Sequence, residues 1–252
     1  MIILLTGHKG FLGTKLQQHL NNNGHVTIGL DTTEGEDLLN CNLTWDCDLV
    51  IHLAGESGVR KSIDNPHLYW ENNVIATRRL FDHYKDTKVI YASSSTAEEP
   101  DRNPYALSKR TIEKMAPANS LGLRFTTIYG GNGRDNMFIP KLLKNEIKYA
   151  NDHQRDFIHI DDVINAIDIL INASADVKGV IDVGTGKTVS IQELAKKFCT
   201  DYVETVGDKH ERINNKSDPK ELLALGWSSK IDIIDYINQE KNLTNDENLN
   251  II

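Results

Sequence analysis

The stretch SSSTAEEPDRNPYALSK, positions 93–109, holds Ser95, Tyr105 and Lys109, three polar groups suited to moving a proton off and onto a hydroxyl oxygen. Tyr105 and Lys109 stand four apart, so on a helix they share a face. An ammonium beside a phenol favours the phenolate by Coulomb attraction, and a tyrosine normally near pKa ~10 then serves as a base close to neutrality. Ser95, at the end of an apolar run, would hold the reacting oxygen by a hydrogen bond and orient it. The same pattern also describes a polar turn leading into a solvated helix face, so the choice rests on what surrounds it.

The elements that would position these groups read as short apolar runs bounded by turn residues: Ile2 to Leu5, Val26 to Leu30, Leu49 to Leu53, Val89 to Ala92, Gly122 to Tyr129 and Val180 to Val183. Helical spacing appears between several of them, over Phe11 to Asn22, Tyr69 to Tyr84 and Ser108 to Met115. Strands alternating with helices predict an α/β fold, a Rossmann-like doubly wound parallel sheet with helices on both faces. Later helices carry start and stop signals, with Ser190 and Glu193 at capping-box spacing and Gly226 closing a segment that begins at Asp218 and Pro219.

In LLTGHKGFLGTKL a strand feeds Gly7, Gly10 and Gly13 and then a helix. Small residues are needed where the chain turns sharply, brings N–H groups against a pyrophosphate and packs helix closely on strand. A plain strand-turn-helix would show the same glycines. Asp31, which ends HVTIGLD, adds an acid where an adenosine ribose would be held. No Arg or Lys follows it before Asp37, so a 2'-phosphate would meet repulsion, which favours NAD over NADP. A cationic nicotinamide ring would push Tyr105 further toward the phenolate. GTGKT at 184–188 imitates a phosphate-binding loop, but Ile181 stands where that loop requires its first glycine, so it is read as a turn.

Composition narrows the partners. With 252 residues, 39% of them apolar, the chain can bury a sizeable core, and a net charge of -8 leaves no broad basic field for nucleic acid. Cys41, Cys47 and Cys199 form no C-x-x-C and read as reduced thiols of a cytoplasmic protein. The opening MIILL is too short for a signal peptide, and no apolar run reaches membrane-spanning length. His153, Asp156, His159, Asp161 and Asp162 lack a metal-ligand spacing, so no metal is expected. We expect residues 1–130, joined by 156–173, to form an NAD-binding domain. Residues 131–155 and 174–241 would make a small, mainly helical C-terminal substrate-binding lobe, and 242–252 a frayed polar tail.

The chain resembles the extended short-chain dehydrogenase/reductase family, the NAD-dependent sugar-nucleotide epimerases and dehydratases. The likeness runs in the family's order through TGHKGFLG, VIHLAGESGVRKSIDNPHLYWENNVIAT, YASSS, NPYALSK, LRFTTIYGGNGR, RDFIHIDDV, VGTGKTVSIQEL and DPKELLALGW. Within the family, GVRKSIDNPHLY and LRFTTIYGGNGRDNM are most similar to the UDP-glucuronate 4-epimerases. The resemblance implies catalytic roles for Ser95, Tyr105 and Lys109, with Lys109 also on the nicotinamide ribose. It implies further cofactor contacts at Gly7, Gly10, Phe11, Leu12, Asp31, Asn42, Leu43, Leu53, Ala54, Gly55 and Ser93. Asn42-Leu43 replaces a usual Asp-Leu pair. On the substrate side it implies Ser95, Thr127 and Arg134 at the sugar or nucleotide, and Arg155 and Arg212 on the diphosphate, which a guanidinium grips bidentately. For those last two, an ordinary ion pair is the alternative.

The activity implied is epimerisation of a sugar nucleotide through a transient 4-keto sugar, at C4 of a UDP-sugar such as UDP-glucuronate or UDP-glucose. An NAD(P)-dependent keto-sugar reductase or dehydratase, and a non-catalytic NAD-binding sensor or scaffold, are the alternatives. Family dehydratases carry Asp-Glu after the catalytic threonine, where this chain has Thr96 and Ala97, though Glu98 and Glu99 come next. A homodimer is also implied, with its helix cut short by Pro117. Two further segments are trimmed, between Asp31 and Asn42 and between Ser95 and Tyr105. The second of these walls the sugar pocket in relatives, and Glu98, Glu99 and Pro100 replace it here.

Overall fold

A computed structural model of the chain describes residues 1–131, 133, 135–173 and 177–249, with 244–249 described as backbone only. The chain opens with β1 (Ile2–Thr6), α1 (Phe11–Asn22), β2 (Val26–Leu30) and β3 (Leu49–His52). Next come α2 (Val59–Asp64) and α3 (Pro66–Tyr69), which continues through a π-helical stretch, Trp70–Ile75, into α4 (Ala76–His83). After β4 (Lys88–Ser94) follow α5 (Pro104–Met115), β5 (Leu121–Phe125), β6 (Thr127–Tyr129) and α6 (Phe138–Leu143). The second half contains β7 (Tyr149–Asn151), β8 (Gln154–Arg155), β9 (Phe157–His159), α7 (Ile160–Asn172) and β10 (Gly179–Val183). It ends with β11 (Val189–Ser190), α8 (Ile191–Phe198), β12 (Val203–Thr205), α9 (Lys220–Ala224) and α10 (Ile233–Leu249).

Six of the strands form one parallel sheet in the order β10-β5-β4-β3-β1-β2. Alternation along β1 shows how it is held: Ile3 and Leu5 face a core with Leu16, Leu20, Ile164 and Ile167, from α1 and α7. Leu4 faces the opposite core, with Leu80 and Phe81 of α4, Tyr91 and Ile112. Burial on both faces explains why these strands read as unbroken apolar runs. Strand order reverses between β1 and β3, so a crevice opens beyond their C-terminal ends, where open α/β sheets take ligands.

A third core, with Tyr129, Ile139, Leu142, Ile147, Phe157, Leu194 and Ile237, belongs to the smaller lobe. Three short two-stranded pairings lie beside it, β6 with β9, β7 with β12 and β8 with β11, while α6, α8 and α10 supply most of its ordered length. The expected boundary shifts. Residues 179–183, assigned to the lobe from sequence, are β10, the edge strand of the main sheet, and Leu222 and Trp227 pack into the core beneath it. The run Gly122 to Tyr129 divides into β5 and β6 because the chain leaves the main sheet at Thr126, whose N–H donates to the Val183 carbonyl at 3.2 Å. Where a frayed tail was expected from 242, α10 continues to Leu249. The trimmed segment after Asp31 holds a single 3-10 turn, Thr32–Glu34, and α5 stops at Met115 with Ala116 already extended before Pro117.

Candidate active site

β4 carries the chain to the sheet's C-terminal edge, where Ser94 caps a short 3-10 turn, Ser95–Glu98, by accepting from the Thr96 N–H at 3.2 Å. That turn packs against α5. α5 starts sharply because Asn103 Oδ1 accepts from the Ala106 N–H at 2.8 Å and Pro104 takes the first helical position. Tyr105 therefore lies in the first turn, half-buried, with Lys109 one turn further in.

Lys109 is buried, its Nζ donates to the Ala92 carbonyl at 2.8 Å, and it sits 6.0 Å from the centroid of the Tyr105 ring. Burial pulls its pKa down to about 8, with the Glu113 carboxylate opposing the fall. Tyr69 packs edge-on against Tyr105 at 6.0 Å, fixed through its own hydroxyl to the carbonyls of Ser57 and Gly58 at 2.8 and 2.9 Å. Ser95 is buried, in the turn that packs against α5. Ser93, expected at the cofactor, turns its hydroxyl to Glu113 at 2.6 Å. Burial alone would raise the Glu113 carboxyl, but hydrogen bonds from Arg124, Ser93 and Arg110 hold it below its usual value.

Two buried residues join the site that sequence reasoning did not single out. Asn73, in the π-helical stretch, accepts from the Glu56 N–H at 2.7 Å and donates to the Glu56 carbonyl and to Ser108 Oγ, each at 3.0 Å. Ser108 in turn donates to the Tyr105 carbonyl at 2.8 Å, so Asn73 ties the loop after β3 to the first turn of α5. The signal was a π-bulge, which widens a helix at functional positions and which no residue pattern announces. His52 bridges Thr6 Oγ1 at 2.7 Å and Thr77 Oγ1 at 2.8 Å, and burial drives its pKa down to about 3, so the ring is neutral.

The glycine loop fits a dinucleotide. Gly7 has φ +72°, and a Cβ there would stand 2.7 Å from the Ala54 nitrogen, so the loop lies directly against Leu53 and Ala54 after β3, while the Gly55 that follows packs against Asn73. Gly10 caps α1 without a side-chain hydrogen bond, and the first turn, which contains Phe11 and Leu12, carries no acid. The free N–H groups of that turn suit a pyrophosphate. Asp31 turns toward the loop, Oδ2 accepting from the Lys9 N–H at 3.1 Å and Oδ1 from the Thr33 N–H at 3.0 Å. Asn42 and Leu43 rim a shallow hollow with Thr44, Arg79 and His83, while Arg79 pins this loop by donating to the Leu38 and Cys41 carbonyls at 2.6 Å each.

The expected substrate residues are engaged within the protein. Thr127 Oγ1 accepts from Asn215 at 3.2 Å. Arg155 donates to the Arg212 carbonyl at 2.8 Å and to Glu211 at 2.9 Å, and burial lowers its pKa against the pull of Glu211. Arg212 donates to the Ser95 carbonyl at 2.6 Å and to Glu99 at 2.9 Å, and pairs with Glu98 at 2.8 Å. Glu99 also pairs with Arg102, whose guanidinium reaches the Lys209 carbonyl at 3.0 Å, and Asn103 reaches the His210 carbonyl at 2.8 Å. A strap at 209–212 is thus laced onto the shortened wall. Arg134 lies outside the described residues. Asp156, from the acidic cluster, anchors the GTGKT turn, accepting from the N–H and hydroxyl of Thr185, the Gly186 N–H, and the N–H and hydroxyl of Ser217 at 2.6 to 3.2 Å.

Known proteins share this framework. Residues 3–184 match the model of the NAD dependent epimerase/dehydratase family. Protein CapI of Staphylococcus aureus is 29% identical, over 69% of this chain and 70% of its own length. The UDP-glucuronate 4-epimerase of Thermodesulfobacterium geofontis is 27% identical over 323 aligned positions, covering 99% of this chain and 97% of that protein. Since this chain has only 252 residues, the relative holds segments missing here. Among solved structures, MoeE5 in complex with UDP-glucose and NAD superposes with a TM-score of 0.84 and 26% identity, over 98% of this chain and 99% of that one. With the reversed strand order, the open glycine loop and a match across most of its length, the chain belongs to the NAD dependent epimerase/dehydratase family.

Proposed function

We propose that the chain is a sugar-nucleotide epimerase that inverts C4 of a UDP-sugar, such as UDP-glucuronate or UDP-glucose, through a transient 4-keto sugar. The observation that carries this reading is the pairing of Tyr105 with a buried Lys109 on one face of α5, against the Ser95 turn. Bound NAD supplies a reversible hydride acceptor. Tyr105 takes the proton from the C4 hydroxyl, and the Lys109 ammonium, steered by the Ala92 carbonyl, stabilises the phenolate that this requires. Ser95 donates a hydrogen bond to the same oxygen, and Tyr105 returns the proton once the keto sugar has presented its other face. Thr127 and Arg134 are assigned to the sugar or nucleotide. Arg155 and Arg212 reach a diphosphate only by exchanging Glu211, Glu98 and Glu99 for phosphate oxygens.

Elimination of the dehydratase kind needs a free acid and base beside the sugar. Even with Arg212 turned to a diphosphate, Glu98 keeps its pair with Arg124 and Glu99 its pair with Arg102, which favours an isomerase. The reading carries a cytoplasmic location, where the free thiols Cys41, Cys47 and Cys199 stay reduced. It also carries a homodimer in which a second copy covers the groove lined by Ile63, Trp70 and Leu107. Tyr105→Phe is the direct test: UDP-sugar conversion followed by NMR falls by about a hundredfold or more while NAD stays bound. Unchanged turnover in that variant would overturn the mechanism.

A further inference from the structure

We propose that Glu34 enforces the choice of NAD over NADP by neutralising Lys9, an ammonium that the glycine loop delivers to the acidic end of β2. Read along the sequence, Asp31 is followed by no cation before Asp37. The fold supplies one from elsewhere. The Lys9 main-chain N–H donates to Asp31 Oδ2 at 3.1 Å, which sets the lysine beside the carboxylate that reads a ribose 2'-hydroxyl. Its side chain bends to Glu34, with Nζ 2.8 Å from Oε1. The other oxygen of the same carboxylate takes His8 Nε2 at 3.1 Å, so both basic residues of the loop are held by one acid.

The trimmed segment creates this arrangement. Asp31 caps the 3-10 turn Thr32–Glu34, accepting from the N–H and the hydroxyl of Thr33 at 3.0 and 2.9 Å, and Gly35, at φ +84°, ends it after a single turn. Glu34 is thereby aimed back at the loop. The hydrogen bond from Lys9 holds its carboxyl below the usual range, consistent with an ion pair. Lys9 is 46% exposed, so once released it can swing to an incoming anion. Asp31, Glu34 and Lys9 together carry one net negative charge. Replacing Glu34 with a neutral residue removes that excess and leaves an ammonium opposite a 2'-phosphate, the pairing that distinguishes NADP-binding sites. The inference rests on the coenzyme end of the site and is independent of which sugar is turned over.

The test titrates coenzyme-stripped protein with NAD and with NADP by calorimetry, in the wild type and in the Glu34→Gln, Lys9→Met and doubly substituted variants. Glu34→Gln should tighten NADP about threefold to tenfold and leave NAD within about twofold, the size expected of a partly exposed charge-assisted contact. Adding Lys9→Met should abolish the gain. Unchanged NADP affinity in Glu34→Gln, or a gain that survives the loss of Lys9, would overturn the proposal. So would loss of NAD binding in Glu34→Gln, because Glu34 would then be holding the loop in shape rather than selecting. No sugar conversion is read, so these outcomes stand apart from the fate of the epimerase assignment.

Discussion

Lys109 faces two opposite demands. Burial brings its pKa to about 8, whereas in the unfolded chain a lysine keeps its proton to about pH 10.4. Between these values the unfolded state binds more protons, so this residue's contribution to stability rises with pH as the folded form sheds the buried charge. Support for the Tyr105 phenolate moves the other way, because a neutral amine no longer attracts it. The pH profile of kcat/KM for UDP-sugar conversion should therefore fall on its alkaline side as pH climbs through about 8; a profile level from about pH 7 to about pH 10 would contradict the role given to Lys109. The closeness of Tyr105 and Lys109 was legible because helical geometry is local. Asn73 and His52 were not, since their partners Ser108 and Thr6 lie 35 and 46 residues away. Lys9 escaped for the same reason, as its approach to Asp31 spans 22 residues.

Among elements, the turn at GTGKT shows what motif spacing can and cannot say. Spacing excluded a phosphate-binding loop, but gave no hint that Asp156 holds the turn from the junction of β8 and β9 with both carboxylate oxygens. Asp156 is fully buried, and Asp156→Ala would leave the Thr185, Gly186 and Ser217 donors without their acceptor. We expect a loss of about 3 kcal/mol or more in urea unfolding, with Asp156→Asn costing less. Strand positions were readable because strands buried on both faces are continuous apolar runs. Strand partners were harder: Val180 to Val183 announces a strand, yet only its register with β5 reveals that it closes the main sheet rather than the lobe.

At the scale of the whole molecule, a shallow groove gathers several exposed apolar side chains in one place. Ile63, Trp70 and Leu107 line it at 38%, 44% and 46% exposure, with Pro66, Pro100 and Pro104 alongside. If a second copy covers this groove, sedimentation equilibrium at micromolar concentration gives a dimer for the wild type and a monomer for Trp70→Glu, with coenzyme binding retained. A monomeric wild type would remove the dimer from the reading. The net charge of -8 was legible from composition, but the groove was not, because its residues come from α2, the π-helical stretch and α5.

The lacing of the 209–212 strap to the wall at Ser95–Asn103 bears on how the two segments can be exchanged. Arg212 holds the Ser95 carbonyl and two wall acids, while Arg102 and Asn103 hold the strap's own carbonyls. A longer wall grafted from a relative would strand Arg212, and a grafted strap would strand Glu98 and Glu99. The two segments depend on each other although more than a hundred positions separate them in the sequence. A chimera that exchanges only one of the two segments is expected to lose these contacts, and one that exchanges both together to keep them.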